Sequence, residues 1–198
     1  MARSLAAALS NARDVSRDAN PHVARTGSAG GTPPDQPQAW ARAYIGLPWK
    51  ELGRDRAGVD CWGLVRLPLL EVFGCDTPLH DTGYVGCGRR DVSNIAALIA
   101  AGKGTWPVIA EAPYYRNQAV RPTALTDDYW LCPIGDERPG DLLLIRQHGA
   151  ESHIALVAGG GHMLHIEEGT DSVCESYIDG QWRRRIVGIY RHPRLVHP

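Results

Sequence analysis

The stretch DCWGLVRLPLLEVF, residues 60–73, decides the fold class, because it predicts a helix that begins at a cysteine. Its apolar side chains recur at helical spacing, at Leu64, Val65, Leu69 and Val72. A Gly-rich polar loop, residues 53–58, precedes it, so Cys61 falls at the helix start. The first N–H groups of a helix lack internal partners and carry partial positive charge, which stabilises a thiolate. Cys61 is therefore a candidate nucleophile, and a small buried cysteine is the alternative.

Beyond Pro139 the sequence becomes strand-like. Short apolar segments separated by Gly or Asp predict strands at residues 141–145, 153–158, 163–166, 172–177 and 185–190. A second, short helix is predicted at residues 93–101, and loops with short strands over residues 103–135. Helices followed by an antiparallel sheet are typical of the α+β class.

Composition excludes several classes of protein. The 198 residues carry a formal net charge of −1, which argues against a nucleic-acid binder held by phosphate contacts. No apolar run approaches the length of a membrane span. The five cysteines fit neither a metal finger nor a complete disulfide framework. We therefore expect no metal and no cofactor, and ordinary reduced thiols at the other four positions: Cys75, Cys87, Cys132 and Cys174.

Residues 1–38 predict an N-terminal arm that precedes a domain at residues 39–198. Gly, Pro, Ser, Asp and Arg dominate residues 13–38, which favours a flexible tail; an arm that orders on a partner is the alternative. The apolar segment at residues 5–9 is too short for an export signal. The sequence thus predicts synthesis in the cytoplasm without secretion by a signal peptide.

Two histidines are candidates for the base and the orienting group that a cysteine nucleophile needs. His153 opens one predicted strand and His165 lies in the next, with three glycines, 159–161, between the strands. A three-residue loop would pair Ala158 with His162 and Leu156 with Leu164, and would put both histidines on one face of the sheet. A five-residue loop would also put them on one face, whereas a two-residue loop would put them on opposite faces. Glu167 falls on the same face as the pair and is the rival orienting group.

Several motifs, in order along the chain, resemble the NlpC/P60 family of cysteine peptidases, which cleave cell-wall peptides. They are YIGLPW (44–49), DCWGLV (60–65), PGDLL (139–143), SHIALV (152–157), MLH (163–165) and IVGIYR (186–191). The resemblance implies a papain-like α+β fold in which the helix bearing the nucleophile packs on an antiparallel sheet. It implies Cys61 as nucleophile, His153 as general base and His165 as orienting residue. The implied substrate is a peptidoglycan stem peptide, cleaved between D-glutamate and a diamino acid.

Three residues near Cys61 are candidates for the substrate or oxyanion site, Trp49 and Trp62 by the same resemblance and Asp60 by its charge. Trp49 stands where the family has a tyrosine that shapes the oxyanion site, and its indole N–H can still donate a hydrogen bond. Trp62 stands where the family often has a serine that contacts substrate. Asp60 suits the free amine of a stem peptide, or else caps the helix.

The aromatic residue after the cysteine looks like the phage-tail branch of the family. That branch implies a peptidase carried on a phage or phage-like tail tip, made in the host cytoplasm and then part of the virion. Its partners would be peptidoglycan peptides and other tail-tip or tail-assembly proteins. The long stretch between Cys61 and His153 predicts an insertion at about residues 76–135. The alternatives are a structural tail-tip component without turnover, and an amidase or acyl transferase that uses the same residues.

Overall fold

An antiparallel sheet forms the centre of the computed structural model, which describes residues 35–80, 92–103, 105–116 and 131–196. Its strands are β3 (Val108–Glu111), β4 (Leu142–Gln147), β5 (Ala150–Gly159), β6 (His162–His165), β7 (Val173–Ser176) and β8 (Ile186–Tyr190). They lie in the order β3-β8-β4-β5-β6-β7. A separate two-stranded hairpin consists of β1 (Arg54–Asp55) and β2 (Gly58–Val59).

The helices are α1 (Cys61–Glu71), α2 (Val92–Lys103), α3 (Pro113–Arg116) and α4 (Gly180–Arg183), with 3₁₀ turns at Ala39–Tyr44 and Pro193–Leu195. Helix α1 begins at Cys61 because Asp60 caps it: the Asp60 carboxylate accepts a hydrogen bond from Gly63 N at 2.8 Å. This confirms the predicted helix start. The five predicted strands are present, so the α+β class is also confirmed. Within the described residues, no helix has the length and apolar character needed to cross a membrane.

The sheet buries both of its faces. The helix face carries the alternate strand residues that pack against α1, and the opposite face, here the Trp182 face, carries the others. On the helix face lie Leu142, Leu144, Ile154, Leu156 and Leu164. On the Trp182 face lie Leu143, Ile145, Ala155, Val157 and Met163, packed with Trp182. Because side chains alternate along a strand, neighbouring residues of β5 belong to different faces.

The turn between β5 and β6 differs from the predicted three-residue loop. Gly159 pairs with His162, which leaves Gly160 and Gly161 as a two-residue turn, and a bulge then restores the expected pairing of Leu156 with Leu164. The glycines allow this because their φ angles are positive: 93°, 57° and 70° at residues 159, 160 and 161. The bulge places one extra residue in β5 between Val157 and Gly159, so the register beyond it is kept. The predicted pairing at the turn is therefore wrong, but the two histidines still share a face.

The predicted arm and insertion are described only in part. Residues 1–34 lie outside the described residues, and Gln38 N donates a hydrogen bond to Ala158 O at 2.7 Å, so the chain is docked on β5 just before residue 39. Within the predicted insertion, α2 packs against β5, and β3 adds an edge strand to the sheet beside β8. Residues 81–91, with Cys87, and residues 117–130 lie outside the described part.

Candidate active site

Cys61 is the first residue of α1 and is almost fully buried, with 3% of its surface exposed. It lines a cavity of about 130 Å³ between α1, α2 and the helix face of the sheet. The N–H groups of the first turn of α1 point toward this end of the helix, where they favour negative charge. The position suits both a thiolate and an oxyanion that develops on an attacked carbonyl.

Asp60 is buried and is bound within the fold. Besides capping α1 at Gly63, its Oδ1 lies 2.6 Å from Nη1 of Arg54, in a salt bridge. This geometry matches the helix-cap alternative, because the carboxylate is engaged within the fold. The binding of a substrate amine by Asp60 stays a prediction.

Trp62 and Arg54 together hold a short segment, residues 78–80, over the start of α1. The indole N–H of Trp62 donates to Pro78 O at 2.9 Å, and its ring lies 5.5 Å from the His80 ring. The Arg54 guanidinium donates to the carbonyl oxygens of Leu79 and His80. Trp62 therefore shapes the cavity wall, since it also lines the cavity beside Cys61.

Trp49 lies close to the cysteine along the chain fold, because it forms a backbone bridge with Val59, two residues before Cys61. Its indole nitrogen is buried and has no hydrogen-bond acceptor among the residues that the structure describes. A buried donor without a partner is costly to the fold. Its predicted place in the oxyanion site remains a prediction.

His153 and His165 form a buried pair on the Trp182 face. Their ring centroids lie 5.6 Å apart, and each ring also packs against Trp182. His165 Nε2 lies 2.6 Å from Glu175 Oε1, and the Trp182 indole donates to the same oxygen at 2.8 Å. Nδ1 of His165 and Nε2 of His153 are buried without partners among the described residues. Glu175 thus orients His165, and Trp182 fixes both rings.

The carboxylate at the histidine pair is Glu175, which sequence reasoning missed. Glu167 instead accepts a hydrogen bond from Gln147 Nε2 at 2.7 Å. The strand register explains the difference, since Glu175 pairs with Met163 and so lies on the Trp182 face. The alternation of side chains along Val173–Ser176 could have placed Glu175 on this face, but only with knowledge of how β6 pairs with β7. In the described ranges, no group of three or more His, Cys, Asp or Glu is arranged to hold a metal ion.

Cys61 packs with the helix-face core, and the rings of the histidine pair pack against Trp182. Ile154 lies on the helix face and lines the cavity with Cys61, whereas His153, its neighbour in β5, lies on the Trp182 face. The imidazole that lines the cavity with Cys61 is that of His80, which the sequence analysis did not single out. The catalytic roles of Cys61, His153 and His165 therefore stay predictions.

Burial, together with smaller coulombic interactions with His165, Arg185 and His148, lowers the pKa of His153 to about 3. His153 is therefore neutral at pH 7. A neutral imidazole suits a base that takes a proton from a thiol. A neutral His153 does not supply the positive charge that would balance a Cys61 thiolate.

The lowered pKa makes stability fall with acid. The unfolded chain binds a proton at His153 below about pH 6.5, while the folded protein does not until near pH 3, so stability is present above pH 6.5 and is lost as pH falls. Because of His153, we expect the free energy of unfolding, measured with urea, to fall by about 2 kcal/mol between pH 7 and pH 5. His153→Gln will remove that part of the pH dependence, whereas His162→Gln in the adjacent turn will keep it. An unchanged slope in His153→Gln would contradict the assignment.

A capped helix that begins at a cysteine packs on an antiparallel sheet, which is an α+β architecture. The chain belongs to the NlpC/P60 family, whose model matches residues 46–191. Members of this family are cysteine peptidases and hydrolases. Among solved structures, the chain is similar to the crystal structure of the NlpC/p60 domain of peptidoglycan hydrolase SagA, with 23% identity and a TM-score of 0.38, over 76% of this chain and 92% of that one. None of the curated proteins matches the chain.

Proposed function

We propose that this protein is a cysteine peptidase that hydrolyses peptidoglycan stem peptides, at the bond between D-glutamate and the diamino acid. The observation that carries the proposal is Cys61 at the capped start of α1, at the wall of a cavity. Membership of the NlpC/P60 family supports the choice of a cell-wall peptide as substrate.

The reaction follows from the chemistry of a thiol. The Cys61 thiolate attacks the amide carbonyl, the C–N bond breaks, and the departing amine takes a proton from the base. Water then attacks the thioester, which releases the new carboxylate and returns the thiol. The N–H groups at the start of α1 stabilise the oxyanion in both steps.

His153 is the proposed base and His165 its orienting partner, because they occupy the positions of the family motif. His80 is the rival base, since it lines the same cavity as Cys61.

A second candidate function is a structural component of a tail tip that has kept the scaffold without turnover. The residues that favour it are Trp49 and Trp62, which stand where the family has a tyrosine and often a serine. Under either function we propose a place in a phage or phage-like tail, with other tail proteins as partners and assembly from the host cytoplasm into the virion. Mass spectrometry of purified particles tests this placement, and absence of the chain from particles would overturn it.

Thiol labelling separates the enzyme from the structural component. Burial raises the pKa of Cys132 to about 12 and that of Cys174 to about 11, so both are poor nucleophiles at pH 6 and serve as internal controls. We expect iodoacetamide at pH 6 to alkylate Cys61 at least about tenfold faster than either control, because a helix start stabilises its thiolate. Peptide mass spectrometry gives the three rates. Equal rates would favour the structural component.

A further inference from the structure

Glu175 connects the buried histidine pair to the surface of the protein. Its Oε1 lies 2.6 Å from Nε2 of His165 and accepts a hydrogen bond from the Trp182 indole at 2.8 Å. The Glu175 side chain is 44% exposed, whereas the His165 side chain is 3% exposed. Two donors from the buried side therefore hold one carboxylate oxygen in place, and the rest of the group faces solvent.

The bond to Glu175 decides which nitrogen of His165 carries the proton. A neutral imidazole has one N–H and one bare nitrogen, and an ionised carboxylate can only accept hydrogen bonds. The partner that a ring nitrogen binds sets the tautomer of the whole ring. The proton of His165 therefore lies on Nε2, next to Glu175, and Nδ1 of His165 is bare.

Two ring nitrogens of the histidine pair lack a partner. They are Nδ1 of His165 and Nε2 of His153, both buried and without a hydrogen bond to any described residue. The two ring centroids lie 5.6 Å apart. An unpaired buried polar atom is costly, and one hydrogen bond between these two nitrogens would satisfy both. Because Nδ1 of His165 is bare, Nε2 of His153 has to supply the proton, which leaves Nδ1 of His153 bare in turn.

We propose that Glu175 is a positioning residue of the peptidase. Acting through His165, it keeps the proton of His153 on Nε2 and so leaves Nδ1 of His153 free to accept the proton of the Cys61 thiol. The inference rests on the proposed function, to which it adds a residue and the identity of the basic nitrogen.

The proton balance of this step is simple. The thiol proton moves to Nδ1 of His153, Cys61 becomes a thiolate, and His153 becomes an imidazolium that still donates from Nε2 to His165. No proton leaves His165 and none reaches Glu175, whose negative charge stabilises the new imidazolium through the chain of hydrogen bonds. When the imidazolium later gives its proton to the departing amine, the starting arrangement returns.

NMR of the full-length protein with isotopically labelled histidine measures the position of each proton directly. Couplings from the carbon-bound ring protons distinguish an N–H nitrogen from a bare one, and His153→Gln and His165→Gln assign the signals. At pH 8 we expect both His165 and His153 to carry one proton, on Nε2. A proton on Nδ1 of either ring would overturn the proposal.

Two substitutions at Glu175 separate positioning from a loss of packing. Glu175→Ala removes the acceptor, so we expect the His165 proton to be shared between its two nitrogens. We also expect kcat for a soluble stem peptide to fall at least about tenfold, with KM within about twofold. Glu175→Gln keeps a carbonyl oxygen between the two donors and is expected to retain the proton on Nε2 and most of the rate. Trp182→Phe, which removes only the second donor, serves if Glu175→Ala is unstable and should shift the proton in the same direction.

The matched control removes a carboxylate that does not contact the histidine pair. Glu168 follows β6 and is exposed, so Glu168→Ala is expected to keep both proton positions and a rate within about twofold. An unchanged proton position in folded Glu175→Ala, or equal losses of rate in Glu175→Ala and Glu175→Gln, would overturn the positioning role. If the protons lie as expected but the unmodified protein cleaves no stem peptide, the proposed function fails and the proton arrangement set by Glu175 stands.

Discussion

Replacing Cys61 with alanine will lower the rate of peptidoglycan hydrolysis by roughly 10⁴-fold or more, because no thioester can form. The fold is expected to persist, since a buried cysteine is a small apolar side chain and alanine keeps the helix start that Asp60 caps. Digestion of purified cell wall, with mass spectrometry of the new termini, measures the rate and identifies the bond. Turnover by Cys61→Ala equal to that of the unmodified protein would contradict the proposed function.

Matched variants make this result specific. Cys174→Ala changes a thiol elsewhere in the sheet and is expected to leave the rate within about twofold, because a half-buried core thiol takes no part in the chemistry. His153→Ala and His80→Ala, measured in the same digestion, decide between the two bases. The proposed base predicts a large loss for His153→Ala, a smaller loss for His165→Ala and little effect of His80→Ala. The reverse order would assign the base to His80.

Asp141→Ala will lower the free energy of unfolding by about 3–5 kcal/mol, the largest stability effect that we expect from a single charge. Both carboxylate oxygens of Asp141 accept hydrogen bonds from the Arg191 guanidinium at 2.8 Å, and Arg138 N donates to Oδ2. These bonds raise the pKa of Arg191 further above its ordinary value. Removal of Asp141 leaves a largely buried guanidinium without its carboxylate. Urea unfolding at pH 7 measures the loss.

The control for this prediction is an ion pair near the surface. Asp76 lies 3.5 Å from Arg66 and its side chain is 80% exposed, so Asp76→Ala should cost less than about 1 kcal/mol. The double variant Asp141→Leu with Arg191→Met removes both charges and is expected to recover part of the loss. A cost below about 1 kcal/mol for Asp141→Ala would show that this pair contributes little.

The elements of the fold could be predicted from local patterns. Helix α1 begins at Cys61 as predicted, because the cap at Asp60 and the apolar spacing after it act within a few residues. The strands β4 to β8 follow apolar segments whose ends are marked by Gly or Asp. The shared face of His153 and His165 was also predicted, although the route differs: the turn has two residues and a bulge restores the register. Local propensities, turns and caps carry this information because their partners are near in sequence.

The contents of the candidate site could be predicted only in part. Glu175 was missed because its contact with His165 depends on the pairing of β6 with β7 across a loop. The hydrogen bond from Gln147 to Glu167 could not be predicted either, because it joins the end of β4 to the loop that follows β6. The contacts of Trp62 and Arg54 could not be predicted either. Both side chains donate hydrogen bonds to carbonyl oxygens of residues 78–80, which are distant in sequence. A pairwise contact of this kind leaves no periodic signal.

The sequence by itself determined a cysteine at a helix start and an antiparallel sheet, because each rests on spacing along the chain. The shared face of the two histidines needed the bulge in β5 as well. Only the tertiary structure decided which face α1 covers. Both faces of β5 are apolar, with Ile154 and Leu156 on one and Ala155 and Val157 on the other. Spacing therefore makes either face a suitable partner for the helix. In the folded protein α1 packs on the face of Ile154, and His80, from a segment distant in sequence from that strand, lines the cavity beside Cys61.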